Sequence, residues 1–194
     1  MAVLSLIRPN HSRVEAVATR QATEPFSYTE VGGTRESLPS GFHIDHQTRQ
    51  LGQGQRLFKA GVDALRRWSQ FDLGWVWPLR RDVPIEAGQS FTFLSRSFGV
   101  WSINVCRVVY VIDEADEAGA RFGFAYGTVG AHAVRGEERF LLTWDRATDA
   151  VDFEILKFST PAHLLLTLLG PITRAVQMRF TREALARLAA EVAT

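Results

Sequence analysis

The stretch Tyr126–Phe140, YGTVGAHAVRGEERF, joins two segments in which apolar and polar residues alternate. Arg121–Val129 leads into it and Glu138–Trp144 leads out of it. Alternation with a period of two is typical of a half-buried strand, and the glycines between the two segments permit a tight connection. The stretch therefore predicts a β-hairpin, and the rest of the chain supplies strands and helices to pack beside it.

The same alternation recurs on both sides of the hairpin. A first strand is predicted at Phe42–Leu51, and an amphipathic helix follows at Gln55–Phe71, where apolar residues recur every three or four positions. Further strands are predicted at Leu73–Leu79, Gln89–Phe98, Val100–Ile112, Arg121–Val129, Glu138–Trp144 and Val151–Phe158. Consecutive strands joined by short turns favour an antiparallel sheet.

The end of the chain returns to helical spacing. Thr160 followed by Pro161 is the pattern of a helix N-cap, so a long helix is predicted from there, with a kink at Gly170-Pro171. We expect an α+β fold in which a curved antiparallel sheet of about seven strands grips this helix around a cavity. A hot-dog fold is the alternative, with the Gln55–Phe71 helix central and the C-terminal helix peripheral.

Length and composition restrict the class of protein. The 194 residues, 46% of them hydrophobic, suffice for one packed domain, and we expect residues 1–25 to form an N-terminal arm and residues 26–194 a single domain. With 22 basic and 21 acidic residues, the chain lacks the basic surplus of a nucleic-acid binder. No apolar run reaches the length of about 18 residues that a membrane span requires.

Cys106 is the only cysteine of the chain. An intrachain disulfide and a cysteine-based zinc site are therefore excluded, and a cytoplasmic location is predicted. We expect no metal and no cofactor. The sequence leaves the oligomeric state open, including a homodimer.

Several short motifs follow one another over residues 26–185. In chain order they are Tyr28 with Val31-Gly32-Gly33-Thr34-Arg35, Leu51-Gly52 with Gly54, Phe58, Trp68 and Phe71, Tyr126-Gly127-Thr128, His132, Gly136-Glu137-Glu138 with Phe140, Phe158-Ser159 with Pro161, and the series Pro171, Arg174, Gln177. These motifs resemble the family catalogued as domain of unknown function 1990. The order of elements is similar to the helix-grip fold of START and Bet v 1-like proteins. The resemblance implies a hydrophobic pocket and no particular reaction.

Three residues near the hairpin turn are candidates for catalysis. His132 lies close in sequence to Glu137 and Glu138, and a histidine beside a carboxylate is able to exchange a proton near neutral pH. Because adjacent residues of a strand point to opposite faces, at most one of the two glutamates faces the cavity. A cyclase or hydrolase would use His132 with that glutamate. In the structural alternative these residues only hold the turn in place.

Six further residues are candidates for contact with a ligand. Phe93, Trp101 and Tyr126 supply aromatic surface, and Asn104 supplies a polar contact, as do Tyr126 and Ser95. Arg35 would pair with one of the two glutamates in a structural or ligand-holding role, or lie free on the surface. The favoured function is the binding of a small hydrophobic or amphipathic molecule between sheet and helix. The alternatives are an enzyme of the same fold and a hot-dog enzyme that acts on thioesters, so enzymatic activity remains undecided at this point.

Overall fold

The structure is a computed structural model that describes residues 3–130, 132, 134–162 and 170–193. In chain order the elements are β1 (Val3–Ser5), α1 (His11–Gln21), β2 (His43–Gln53), α2 (Gln55–Arg66), a short 3-10 helix (Ser69–Phe71), β3 (Val76–Pro78), β4 (Ser90–Ser97), β5 (Val100–Ala115), β6 (Gly119–Thr128), β7 (Val134–Asp145), β8 (Ala150–Pro161) and α3 (Gly170–Val192). Within these ranges, no helix combines the length and apolarity needed to cross a membrane.

All strands belong to one antiparallel sheet. Its main path contains seven strands in the order β2-β8-β7-β6-β5-β4-β3, and β1 pairs with the first residues of β5. From β4 to β8 each strand pairs with the next one in sequence, as period-two segments separated by short turns predict. Between β2 and β3, which form opposite edges, α2 and the 3-10 helix carry the chain across the sheet. The predicted α+β class is confirmed.

The main core lies on the concave face of the sheet. Phe124, Phe140 and Phe153 project from three neighbouring strands and pack against Leu65 of α2 and Leu188 of α3, and all five are fully buried. Both helices therefore cover the same face, and the sheet grips α3 in the helix-grip arrangement. The hot-dog alternative is wrong, because it requires a peripheral C-terminal helix.

A smaller core lies on the convex face. Val14 and Val17 of α1 pack there against Trp101 and Ile103 of β5. The ring of Trp101 stacks on Trp77 at a centroid distance of 5.3 Å. Trp101 thus points away from the concave face, which contradicts its predicted contact with a ligand in a cavity under the C-terminal helix.

The C-terminal helix begins later than its sequence pattern predicts. Thr160 and Pro161 belong to β8, where they pair with Arg135 and Val134 of β7, so the predicted helix start at Thr160 is wrong. Residues 163–169 of the predicted helix lie outside the described residues. The described part of the helix covers Gly170–Val192.

Candidate functional site

A cavity of about 480 Å³ lies between the concave face and α3. Among the described residues, its apolar lining includes Phe93 on β4, Cys106 on β5, and Val176 and Phe180 on α3. The volume falls within the range of small-molecule sites, about 300–1,000 Å³.

The cavity exists because inward-facing side chains become smaller toward one end of the sheet. Along β6 the inward series starts with Phe122 and Phe124 and ends at Thr128, and along β8 it runs from Phe153 to Ser159. Aromatic rings therefore fill the space under α2, whereas short side chains leave the space under the first half of α3 unfilled. The hollow is a consequence of side-chain volume along the strands.

Three polar residues form one row on the floor of the cavity. Tyr126, Glu138 and Lys157 occupy paired positions on β6, β7 and β8, so the register alone places them side by side. The Tyr126 hydroxyl donates to Glu138 Oε2. Lys157 Nζ lies 3.7 Å from Glu138 Oε1, and it donates to Thr181 Oγ1 at 2.6 Å and to the Gln177 carbonyl at 3.1 Å. This row attaches α3 to the sheet.

Burial sets the protonation of the row. Loss of solvent raises the pKa of Glu138, while the Lys157 ammonium and the Tyr126 hydrogen bond act in the opposite direction. Burial, reinforced by the neighbouring Glu138 charge, raises the pKa of Tyr126 well above its usual value. Tyr126 therefore keeps its hydroxyl proton across the physiological pH range and donates it to Glu138.

A second polar group in the cavity is uncharged. The hydroxyl oxygens of Ser95 and Ser102, which face each other across β4 and β5, are 2.7 Å apart. The amide nitrogen of Asn104 lies 3.0 Å from Ser102 Oγ and 3.2 Å from Ser95 Oγ. We call Ser95, Ser102 and Asn104 the neutral triad. All three residues line the cavity.

His132 borders the cavity without joining either glutamate. Its Nδ1 lies 3.0 Å from the carbonyl oxygen and 3.3 Å from the amide nitrogen of Val134, and its Nε2 has no hydrogen-bond partner among the described residues. Burial lowers the pKa of His132 to about 4. The imidazole is therefore neutral near pH 7. The hydrogen bond between His132 and a glutamate, which the predicted proton exchange requires, is not present.

Glu137 lies on the opposite, convex face. Its carboxylate accepts hydrogen bonds from the Tyr28 hydroxyl at 2.9 Å, from the backbone N–H of Gly32 at 2.7 Å and of Thr34 at 3.0 Å, and from the Thr34 hydroxyl. Tyr28 fits there because Gly127 has no side chain: a Cβ at that position would lie 2.1 Å from the tyrosine oxygen. Glu137 therefore holds residues 28–34 against the sheet. The three residues predicted to act in catalysis, His132, Glu137 and Glu138, do not come together in one site.

Arg35 likewise belongs to the convex face. Its guanidinium carbon lies 5.5 Å from the centre of the Tyr110 ring, and the side chain forms no ion pair with Glu137 or Glu138. The structure thus brings Phe93, Asn104, Tyr126, Glu138 and His132 to the cavity, and places Trp101 and Arg35 outside it. Glu137 also borders the cavity, but its carboxylate is bound by residues 28–34 on the convex face.

The prediction of site residues from sequence missed several polar side chains. Arg174 of α3 forms a two-pronged ion pair with the buried Asp45 of β2, and Gln177 donates to Ser159 Oγ at 2.8 Å. Lys157 could have been found from the sequence, since alternation along β8 places it on the same face as Phe153 and Ile155.

Among the described residues, no group of three or more histidine, cysteine, aspartate or glutamate side chains is arranged to hold a metal ion.

The fold and the cavity define a helix-grip protein with an internal cavity. The family model described as "Domain of unknown function (DUF1990)" matches residues 27–187, and the chain belongs to this family. A UPF0548 protein of Dictyostelium discoideum is 34% identical over 190 residues, covering 89% of this chain and 88% of that protein. A UPF0548 protein of Deinococcus radiodurans is 32% identical over 188 residues, covering 90% and 91%. The resemblance drawn from the motifs is confirmed.

Solved structures also resemble this chain. A hypothetical protein from Helicobacter pylori has a TM-score of 0.51 at 12% identity, covering 87% of this chain and 96% of that one. At this identity the likeness shows the fold alone. The crystal structure of Ara h 8.0201 has a TM-score of 0.44 at 13% identity, covering 78% of this chain and 98% of that one.

Proposed function

We propose that this protein encloses a small apolar or amphipathic molecule between the concave face of its sheet and α3. The observation that supports the proposal is the cavity of about 480 Å³, walled by Phe93, Cys106, Val176 and Phe180 and provided with a few polar groups. Protein interiors are close-packed, so an unfilled space of this size beside α3 favours a role in binding.

The driving force for binding would be burial of the apolar part of the ligand. Each Å² of apolar surface removed from water contributes about 25 cal/mol, from which the loss of ligand freedom is subtracted. The floor row of Tyr126, Glu138 and Lys157 and the neutral triad supply polar groups that orient the ligand.

A hydrolase or cyclase is not proposed, because His132 is not hydrogen-bonded to Glu137 or Glu138.

A matched pair of tryptophan substitutions on α3 tests the proposal. Val176 lines the cavity, whereas the neighbouring Ala175 is exposed. Val176→Trp fills the space, and Ala175→Trp adds the same ring on the solvent side. The probe is the neutral apolar dye N-phenyl-1-naphthylamine, whose fluorescence rises when it leaves water.

We expect wild type and Ala175→Trp to bind the dye equally well and Val176→Trp to bind it at least about tenfold more weakly. Thermal unfolding of all three proteins shows whether each is folded during the measurement. Undiminished binding by a folded Val176→Trp protein would contradict the cavity as the binding site.

The natural ligand can be sought directly. Native mass spectrometry of protein purified from its own cells would show a small apolar molecule that stays bound, and Val176→Trp purified in the same way would lack it. A cytoplasmic setting is part of the proposal, supported by the buried free thiol of Cys106.

A further inference from the structure

We infer that the ligand carries an uncharged hydroxyl, as an alcohol or phenol does, and that Ser95, Ser102 and Asn104 bind this group. The inference rests on the proposed function and specifies the ligand class. It follows from which polar groups of the cavity are already paired and which are not.

The only described cation in the lining of this cavity is already engaged. Lys157 donates to Thr181 and to the Gln177 carbonyl, and its ammonium faces Glu138 at 3.7 Å. The residues outside the described ranges contain no lysine and no arginine. A ligand carboxylate would therefore find no free lysine or arginine side chain there, and the His132 imidazole that borders the cavity is neutral near pH 7. Burying such an unpaired charge is strongly unfavourable.

The orientation of the Asn104 amide leaves its oxygen unpaired. The nitrogen Nδ2 lies 3.4 Å from the carbonyl oxygen of Phe93 and 3.4 Å from that of Ser102, and carbonyl oxygens only accept hydrogen bonds. The NH₂ group must therefore be at this position. The amide oxygen Oδ1 forms no hydrogen bond within the described part of the chain, so it remains an acceptor for a ligand.

The two serines leave one donor unused. Their hydroxyl oxygens are 2.7 Å apart, a distance that one shared hydrogen bridges, and Asn104 Nδ2 donates toward both oxygens. Of the two hydroxyl hydrogens, one is used in the pair and the other is available. The neutral triad thus offers one donor and one acceptor together. A ligand hydroxyl satisfies both, whereas a carboxylate satisfies the donor and opposes the acceptor.

The test compares two ligands that differ only in the polar end. 1-Decanol and decanoate are titrated at neutral pH against the protein loaded with N-phenyl-1-naphthylamine, and displacement of the dye is measured. We expect decanol to bind at least about tenfold more tightly than decanoate, because only the alcohol is uncharged.

The double variant Ser95→Ala with Ser102→Ala removes the donor. It should weaken decanol binding about five- to tenfold, the range expected for a lost hydrogen bond between neutral groups. Ser97→Ala is the control, since Ser97 lines the same cavity on the same strand and has no side-chain hydrogen bond within the described residues. It should bind both compounds as wild type does.

The outcomes separate the two proposals. If decanoate binds as tightly as decanol, or if the double variant binds decanol unchanged, while Val176→Trp still blocks binding, the hydroxyl inference is overturned and the cavity remains the binding site. If neither the dye nor either decyl compound binds the wild-type protein, both proposals fail together.

Discussion

At the scale of single residues, two adjacent glutamates have unrelated roles. Glu138 faces the cavity and contacts Tyr126 and Lys157, whereas Glu137 is 2% exposed on the other face and holds residues 28–34 through its hydrogen bonds. Identical side chains one position apart are thus separated by the pleat of the strand.

Glu137→Gln is expected to destabilise the protein by about 2–4 kcal/mol. The amide would turn an NH₂ group toward donors such as the Tyr28 hydroxyl and the Gly32 N–H, which would leave them without an acceptor. Urea unfolding measures the loss. Glu36→Gln, at an exposed position two residues beyond that segment, should change stability little. An equal effect of both substitutions would contradict the assigned role of Glu137.

His132 should make the stability of the fold dependent on pH. Burial depresses its folded-state pKa from 6.5 to about 4, so below pH 6.5 the unfolded chain takes up a proton that the folded chain does not. Its stabilising contribution is therefore complete above pH 6.5 and is lost as the pH falls toward 4, by about 3 kcal/mol in total.

Urea unfolding of wild type and His132→Gln between these pH values checks this expectation. The substitution should cost most above pH 6.5, and the difference between the two proteins should shrink on acidification. Taking the difference removes the opposite contribution of Glu138, whose pKa is raised by burial. A difference that stays constant with pH would show that His132 is not buried in its neutral form.

At the scale of elements, the turn between β4 and β5 contains an unusual residue. Ser97 pairs with Val100, so Phe98 and Gly99 form a two-residue turn in which both have positive φ, 50° and 81°. Such a turn strongly prefers Asn-Gly, because a residue with a bulky side chain is strained at this φ. Phe98 is also 80% exposed, so no packing of its ring offsets the strain.

Phe98→Asn should therefore raise stability by about 1 kcal/mol. Phe98→Ala serves as the comparison, since it removes the ring but keeps a residue that disfavours positive φ, and it should have a smaller effect. Thermal and urea unfolding measure both changes. If alanine stabilised as much as asparagine, the effect would come from removing the ring rather than from the conformation of the turn.

At the scale of the whole molecule, one ion pair connects two parts of the chain that are distant in sequence. Arg174 of α3 binds Asp45 of the edge strand β2, and the Asp45 side chain is 5% exposed. Together with the Lys157 hydrogen bonds to Gln177 and Thr181, this pair holds α3 over the cavity. The wall of the cavity therefore depends on contacts between the first long strand and the last helix.

Arg174→Met should loosen this wall without unfolding the protein. Removing the guanidinium leaves the buried Asp45 carboxylate without its partner, so local opening of α3 becomes easier. Hydrogen exchange of the backbone amides at residues 174–178 should accelerate by about tenfold. Arg182→Met, at an exposed position of the same helix, should leave their exchange unchanged. Equal protection in both variants would show that the ion pair does not restrain the helix.

Much of the architecture was predictable from local patterns. Strands β2 and β4–β8 and helix α2 match period-two or helical segments of the sequence, since periodicity reflects which side of an element is buried. The start of α3 was not predictable in this way. Thr160 and Pro161 carry a helix-start pattern, but pairing with β7 keeps them in β8, because tertiary hydrogen bonds override a local preference.

The site was only partly predictable for a related reason. Alternation places Trp101 and Asn104 on opposite faces of β5, and both faces are apolar enough to be buried. Which face becomes concave depends on where α1 and α3 pack, and the local pattern of β5 carries no information about that.

The sequence by itself therefore determined the types and order of α2, strands β2–β8 and a C-terminal helix, the opposite directions of Glu137 and Glu138, and the family. Only the tertiary structure decided that Asn104, and not Trp101, faces the cavity, and that Lys157 and the Asp45–Arg174 pair hold its helical wall. The physical reason is that periodicity is set by neighbours along the chain, whereas a cavity is set by side chains more than a hundred residues apart, as Asp45 and Arg174 are with a separation of 129.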